Sequence, residues 1–487
     1  MSDMPVVKAV TCPICGCLCD DIELTIKDKA IVKVKNGCSM CESKFFGYTG
    51  HRMSKPLIKR NGQLVQVPLK EAVTAAAEIL AEASYPLLYG WSSTSCEAIR
   101  VGLELAEEVG GVIDNTSTIC HGPSALSIQD VGLPSCTLGQ VRHRADLVIY
   151  WGSNPWSAHP RHIERYTAFS EGRFEKSEWE GYLKKTKAAT AKKKVESALR
   201  RVKAEENRPL PLLPVGAPCP AILKGGRKLI VVDVRRTRTA ENADYFIQVE
   251  PNKDYEVFEA LRALIRDEEL EVDNVAGVPV EYLEEVADAM IGCNFGVIFF
   301  GLGLTMSEGK LRNVDAALSL TRDLNMRTKF AILPMRGHFN VTGADTVFTW
   351  QTGYPYAVDF SLGYPRYNPG ETSAVDVLLQ KETDAALVVA SDPVSNFPRS
   401  AVEHLVKNPL IVIDPHMNVT AQMGDVVFPS AFVGIETSGT AYRMDHVPLS
   451  LKKIVNPPRG VLSDAVILKR ILSEVRKIKK KKQEEAQ

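Results

Sequence analysis

The chain alternates short, almost wholly apolar runs with longer stretches whose apolar positions recur at helical spacing. Runs such as Pro86-Leu87-Leu88-Tyr89-Gly90-Trp91, Ala145 to Gly152, Lys228 to Thr237, Phe295 to Phe300, Lys329 to Leu333, Ala386 to Ala390 and Leu410 to Ile413 predict strands buried on both faces. Another short strand ends at Val112-Ile113. The periodic stretches between them predict amphipathic helices over Leu69 to Ala83, Cys96 to Val109, Asp254 to Arg266 and Val280 to Met290, with Ser95 capping the second. A last amphipathic helix, Asp464 to Val475, is followed by a Lys-rich tail expected to fray.

Strands alternating with helices predict an α/β fold, with parallel sheets covered by helices on both faces. A length of 487 residues suits several domains. The expected division is 1–56 as a small cysteine-rich domain, 57–144 with about 340–450 as one Rossmann-like α/β domain, 145–339 as a second, and 451–487 as a C-terminal helix and tail. Within the second domain, Ser170 to Lys224 breaks the rhythm. It holds thirteen Lys and Arg against seven Glu, then the Pro-rich run Pro209 to Pro218, and reads as a surface insertion. The formal net charge of the whole chain is zero, so nothing in it favours nucleic acid or a membrane surface. No apolar run is long enough to span a bilayer, and Met1-Ser2-Asp3-Met4 carries no export pattern, so a cytoplasmic location is expected.

Of the 11 cysteines, six fall at 12, 15, 17, 19, 38 and 41. In a chain without an export signal such crowding reads as metal binding. Cys12, Cys15 and Cys19 stand in C-x2-C-x3-C spacing, and Cys38 returns after a predicted hairpin over Asp21 to Val34. Three close thiolates with one distant one suit a [4Fe-4S] cluster, whereas Cys38-x2-Cys41 also matches one arm of a zinc site. On spacing alone both readings stand, as do both choices of fourth ligand. Cys17 reads as a bystander.

A different chemistry gathers around Asp114-Asn115-Thr116-Ser117-Thr118-Ile119-Cys120-His121-Gly122-Pro123-Ser124. A Cys where a strand turns into a helix meets backbone N–H groups and a helix dipole that favour the thiolate, and His121 adds a proton-handling imidazole. Other strands also end in polar or glycine-bearing loops: Gly152-Ser153-Asn154, Asp233-Val234-Arg235, Met335-Arg336-Gly337-His338, Ser391-Asp392 and Asp414-Pro415-His416. Ligands of open parallel sheets bind beyond such carboxyl ends. So many ends imply a large ligand or two. Gly301-Leu302-Gly303 lacks the third glycine of a dinucleotide fingerprint. Thr342 to Thr372, rich in Gly, Pro and Tyr, reads as a long site-lining loop.

These blocks, together with Tyr367-Asn368-Pro369-Gly370-Glu371-Thr372 and Gly439-Thr440-Ala441-Tyr442-Arg443-Met444, make the sequence resemble the molybdopterin oxidoreductases, and more closely the B subunits of tungsten- or molybdenum-type formylmethanofuran dehydrogenases. The resemblance spans nearly the whole chain outside the basic insertion. It implies a [4Fe-4S] cluster on Cys12, Cys15, Cys19 and Cys38, and Cys120 as thiolate ligand of tungsten or molybdenum held by two pyranopterin guanine dinucleotides. The dinucleotides would be bound by Gly152, Asn154, Asp233, Arg235, Gly337, His338, Ser391, Asp392, Asp414, His416 and Thr440. His121 would relay a proton and Arg336 would bind the one-carbon carboxylate during reduction of CO2 to formate. The implied partners are an amidohydrolase-like subunit that receives formate, ferredoxin-like electron-transfer subunits, and a small subunit that caps the pterins in place of a C-terminal β-barrel.

Overall fold

The computed structural model describes residues 5–170 and 227–486. The basic insertion therefore lies outside the described residues, apart from Ser170. The chain divides into two compact units, Met1–Ile119 with Arg336–Gln487, and Cys120–Met335. The first crossing comes at Cys120, earlier than the 145 expected from sequence. The physical reason is the helix Gly122–Val131, which packs on the helix Leu311–Leu324 and ties Ser127 Oγ to the Leu311 carbonyl at 3.2 Å.

The first unit is built on a nine-stranded sheet in the order Arg366–Tyr367, Val358–Asp359, Val112–Asn115, Pro86–Gly90, Ala385–Val389, Leu410–Asp414, Val426–Pro429, Leu57–Arg60, Gln63–Gln66. From Val112–Asn115 to Val426–Pro429 neighbouring strands run parallel, and the edge strands are antiparallel additions. One face is covered by the helices Leu69–Glu82, Cys96–Val109 and Asp464–Ala486. Ile467, Leu468, Ile471, Leu472 and Val475 of the last helix are buried, each side chain contributing roughly 1.5–3 kcal/mol. The sequence pattern predicted that helix but a frayed tail. Instead the helix runs to Ala486, because Lys is a good helix former and Arg476 is tied to Glu104 and Glu108, each at 2.9 Å. A separate antiparallel sheet, Val6–Val10, Ile22–Lys27 and Ala30–Lys35, carries the cysteine-rich loop between its first two strands.

The expected loop from Thr342 opens instead with a helix, Val341–Thr352. Its threonines and Gly343 are weak helix formers, which hides it from the sequence pattern. Burial of Val341, Ala344, Val347 and Phe348 holds it in place. Thr346, Thr349 and Thr352 turn their hydroxyls back onto the carbonyls of Thr342, Asp345 and Phe348 at 2.6–2.8 Å.

The second unit holds a five-stranded, wholly parallel sheet in the order Tyr245–Gln248, Lys228–Asp233, Leu147–Trp151, Phe295–Phe300, Lys329–Pro334. Arg227, buried at the start of Lys228–Asp233, donates to the carbonyls of Ala145, Thr167, Ser170 and Arg142 and to Ser170 Oγ. One guanidinium thus clamps both flanks of the 171–226 stretch. Arg227→Met should lower the stability of this unit by about 2–3 kcal/mol, since several buried carbonyls lose their donor. A fall in thermal midpoint checks it.

Candidate active site

In the first unit, Cys12 N–H donates to the Cys19 carbonyl at 2.8 Å and Leu18 N–H to that of Cys15 at 3.0 Å, closing the loop into a tight cup. Cys12, Cys15, Cys17, Cys19 and Cys41 are buried, and Cys38 is half-buried just ahead of the helix Ser39–Gly47. A hydrogen bond with the Cys41 thiol, reinforced by burial and by the charges of Cys41, Cys19 and Cys15, pushes the Cys12 thiol well above its ordinary range. Cys15 moves the other way because the Cys17 thiol donates to it. Cys17 is thus paired with Cys15, and Cys41 with Cys12. Burial raises Cys38. Among the described residues, no three His, Cys, Asp or Glu side chains are grouped so that they could hold a metal ion.

This loop lies against the Arg336 segment. Gly16 N–H donates to the Gly337 carbonyl at 3.0 Å, Met444 N–H returns to the Gly16 carbonyl at 3.0 Å, and Cys15 bridges to His338. Gly16 is required here, because a Cβ would stand 2.4 Å from the Arg336 carbonyl oxygen. The Arg336 guanidinium pairs with Asp345, whose second oxygen accepts from Ser117 Oγ at 2.7 Å. Burial lowers the pKa of His338.

The first unit's sheet reverses direction of growth between Pro86–Gly90 and Ala385–Val389, the position where a crevice opens in such folds. Beside it stand four predicted residues, knitted by two that sequence reasoning missed. Asn418 Nδ2 donates to the Ser391 carbonyl at 3.3 Å and to Asp414 Oδ2 at 3.2 Å. Thr420 donates to Asp392 through N–H at 2.9 Å and Oγ at 2.6 Å. Burial opposes ionisation of Asp392, but these bonds and one from Ser395 hold it below its ordinary range. Asp414 is pushed up to about 7 by burial, against the His416 N–H. Thr440 is brought elsewhere, to Glu97 at 2.8 Å through its hydroxyl.

In the second unit, the corresponding reversal lies between Leu147–Trp151 and Phe295–Phe300. Gly152, at φ +54, meets Gly303 so closely that a Cβ on Gly303 would stand 2.5 Å from Gly152 Cα. The Gly301-Leu302-Gly303 run thus serves a close backbone approach. Asn154 Oδ1 accepts from Thr239 Oγ at 2.7 Å, and Asp233 accepts from the Arg235 N–H at 3.2 Å. Burial raises the pKa of Asp233.

Cys120 does not sit directly on a strand-to-helix turn as expected. Asn115 Oδ1 captures the Ser117 N–H at 2.8 Å and winds an extra turn, Ser117–Cys120, before the helix Gly122–Val131. Cys120 is half-buried and its carbonyl accepts from Thr305 Oγ at 2.8 Å. His121 is fully buried, its Nδ1 3.2 Å from Ser124 Oγ and its ring edge-on to Phe300.

A family model described as molybdopterin oxidoreductase matches residues 52–193 and 220–474. The chain is 46% identical over 476 residues to the B subunit of the tungsten-containing formylmethanofuran dehydrogenase 2 of Methanocaldococcus jannaschii, covering 97% of this chain and 99% of that protein. It is 43% identical to the protein of the same name from Methanococcus maripaludis, covering 98% and 100%. Among solved structures, it resembles a chain of the formyltransferase/hydrolase complex of Methylorubrum extorquens in complex with methylofuran, with TM-score 0.62 and 21% identity over 87% of this chain and 99% of that one, a likeness of fold. No helix among the described residues is long and apolar enough to cross a membrane.

Proposed function

The chain belongs to the molybdopterin oxidoreductase family, and from that premise we propose that it is the CO2-reducing subunit of a formylmethanofuran dehydrogenase complex. The observation that carries this reading is the Cys120–His121 pair, a half-buried thiol followed by a fully buried imidazole steadied at Nδ1. A scaffold protein needs neither group.

The donor sets fit the implied cofactors. The buried thiols of Cys12, Cys15 and Cys19, with a fourth drawn from Cys38 and Cys41, suit a [4Fe-4S] cluster. Cys120 offers the soft sulfur that suits tungsten or molybdenum. Gly152, Asn154, Asp233 and Arg235 of the second unit, and Gly337, His338, Ser391, Asp392, Asp414 and His416 of the first, are the groups assigned to two pyranopterin guanine dinucleotides, while Thr440, held by Glu97, stands apart from them. When bound, the metal centre supplies the two-electron chemistry of the reaction, and the cluster supplies electron relay.

The balance is CO2 plus two electrons plus one proton giving formate. The chain's own residues handle the carboxylate and the proton. Arg336 neutralises the charge that develops on the carboxylate oxygens. His121, its Nδ1 within reach of the Ser124 hydroxyl, is the imidazole that exchanges the proton. Formate then passes to an amidohydrolase-like subunit, ferredoxin-like subunits deliver electrons, and a small subunit caps the pterins, all in the cytoplasm. The anaerobically purified complex should contain cluster iron plus tungsten or molybdenum at this chain, and should reduce CO2 to formate with a low-potential donor. Iron alone, with no CO2 reduction, would leave a scaffold or electron-relay role.

A further inference from the structure

The geometry points to Asp345 as the positioning residue for Arg336, a role that rests on the proposed binding of the one-carbon carboxylate by Arg336. Both partners of the pair are buried, with Arg336 at 4% and Asp345 at 6% exposure. An ion pair this deep gains little stability over well-packed apolar side chains, because both charges must be stripped of water. Its value lies in what it fixes.

Each end of Arg336 is held. The backbone is clamped by the cysteine loop, where Gly16 packs on the Arg336 carbonyl and pairs with Gly337. The guanidinium is clamped by Asp345 Oδ2. Asp345 is itself oriented by Ser117, whose hydroxyl donates to Oδ1 at 2.7 Å. Its helix is anchored by Asn340, which donates to the Thr94 carbonyl at 2.7 Å and accepts from the Tyr442 N–H at 2.9 Å. A guanidinium fixed at both ends presents its planar donor fork in one orientation, so the entropy of aligning it with a carboxylate is lost on folding rather than on binding. Ser117 opens the single helical turn that closes with Cys120, so the carboxylate that orients Arg336 is hydrogen-bonded to that same turn.

The test compares D345N, S117A and R336K with wild type in the intact complex. Each is scored for iron and tungsten or molybdenum, for KM and kcat in formate oxidation, and for formate Kd by calorimetry on the resting oxidised complex. D345N should keep its metals, raise formate KM and Kd by about tenfold or more, and change kcat by less than about threefold. S117A should move KM and Kd in the same direction by a smaller factor. If D345N fails to assemble, S117A decides alone. Wild-type KM and Kd in D345N and S117A, with both raised in R336K, overturn the positioning role and leave the Arg336 assignment standing. Wild-type values in R336K remove the Arg336 assignment and the positioning role with it.

Discussion

Cys120→Ala should leave the chain folded and its cluster iron in place while lowering CO2 reduction by at least about 1000-fold, since losing a group that merely supports a metal ligand already costs about 10–100-fold. Folding should survive because the contact the structure gives Cys120 to the helix Leu302–Thr305 runs through its backbone carbonyl, at 2.8 Å from Thr305 Oγ, and alanine keeps that carbonyl. Its half-buried side chain is small, so little apolar burial is lost. The measurement pairs elemental analysis with a thermal melt: iron and melting point near wild type, tungsten or molybdenum depleted, activity gone. A variant that holds the metal and reduces CO2 at the wild-type rate would remove Cys120 from the ligand set.

Asp114→Ala should destabilise the first unit by about 4 kcal/mol or more, because each buried donor left without an acceptor costs roughly 1–3 kcal/mol. Asp114 is fully buried at the end of Val112–Asn115 and accepts three backbone N–H groups: Asn115 at 2.8 Å, Ala357 at 2.9 Å and Ala374 at 2.7 Å. One carboxyl therefore joins a central strand to the segment after Val341–Thr352 and to the start of the helix Ala374–Leu379. Burial outweighs these N–H groups and raises its pKa from 3.8 to about 7. The folded state thus holds this proton more tightly than the unfolded chain. The contribution is fully present below the unfolded pKa and is lost as pH rises toward about 7, on the order of 4 kcal/mol across that window. Asp114→Asn removes the titration, so its denaturation midpoint should depend less on pH between 4 and 7, at a lower overall value. An unchanged pH slope would show that other groups carry it.

Most of the sheet framework was legible because parallel strands buried on both faces are written as unbroken apolar runs, and Leu147–Trp151, Phe295–Phe300 and Leu410–Asp414 all emerge within a residue or two of their predicted limits. The helix Cys96–Val109 and its Ser95 cap were likewise local signals. Val341–Thr352 was not, because its stability comes from burial and threonine back-bonding rather than from propensity. The same divide runs through the site. Cys12, Cys15 and Cys19 announce themselves by spacing, and the acids at 233, 392 and 414 by standing at strand ends. Their partners do not. Asp345 finds Ser117 across 228 residues and Asn418 finds Ser391 across 27, and no local pattern encodes either meeting. Gly301-Leu302-Gly303, set aside as an incomplete fingerprint, acquires its purpose only when folding brings Gly152 against it.

The Arg227 clamp also bears on how such a chain can change over generations. One side chain gathers Thr167, Ser170 and its own strand at a single point, so the described residues on either side of positions 171–226 are held together. The free-energy cost of closing a stretch held this way grows only with the logarithm of its length, by about 0.6 kcal/mol for each doubling. The second unit can therefore absorb additions, deletions or wholesale replacement there while the register of Leu147–Trp151 on Lys228–Asp233 stays fixed, so the fold has a port open to evolutionary experiment and to engineered tags alike.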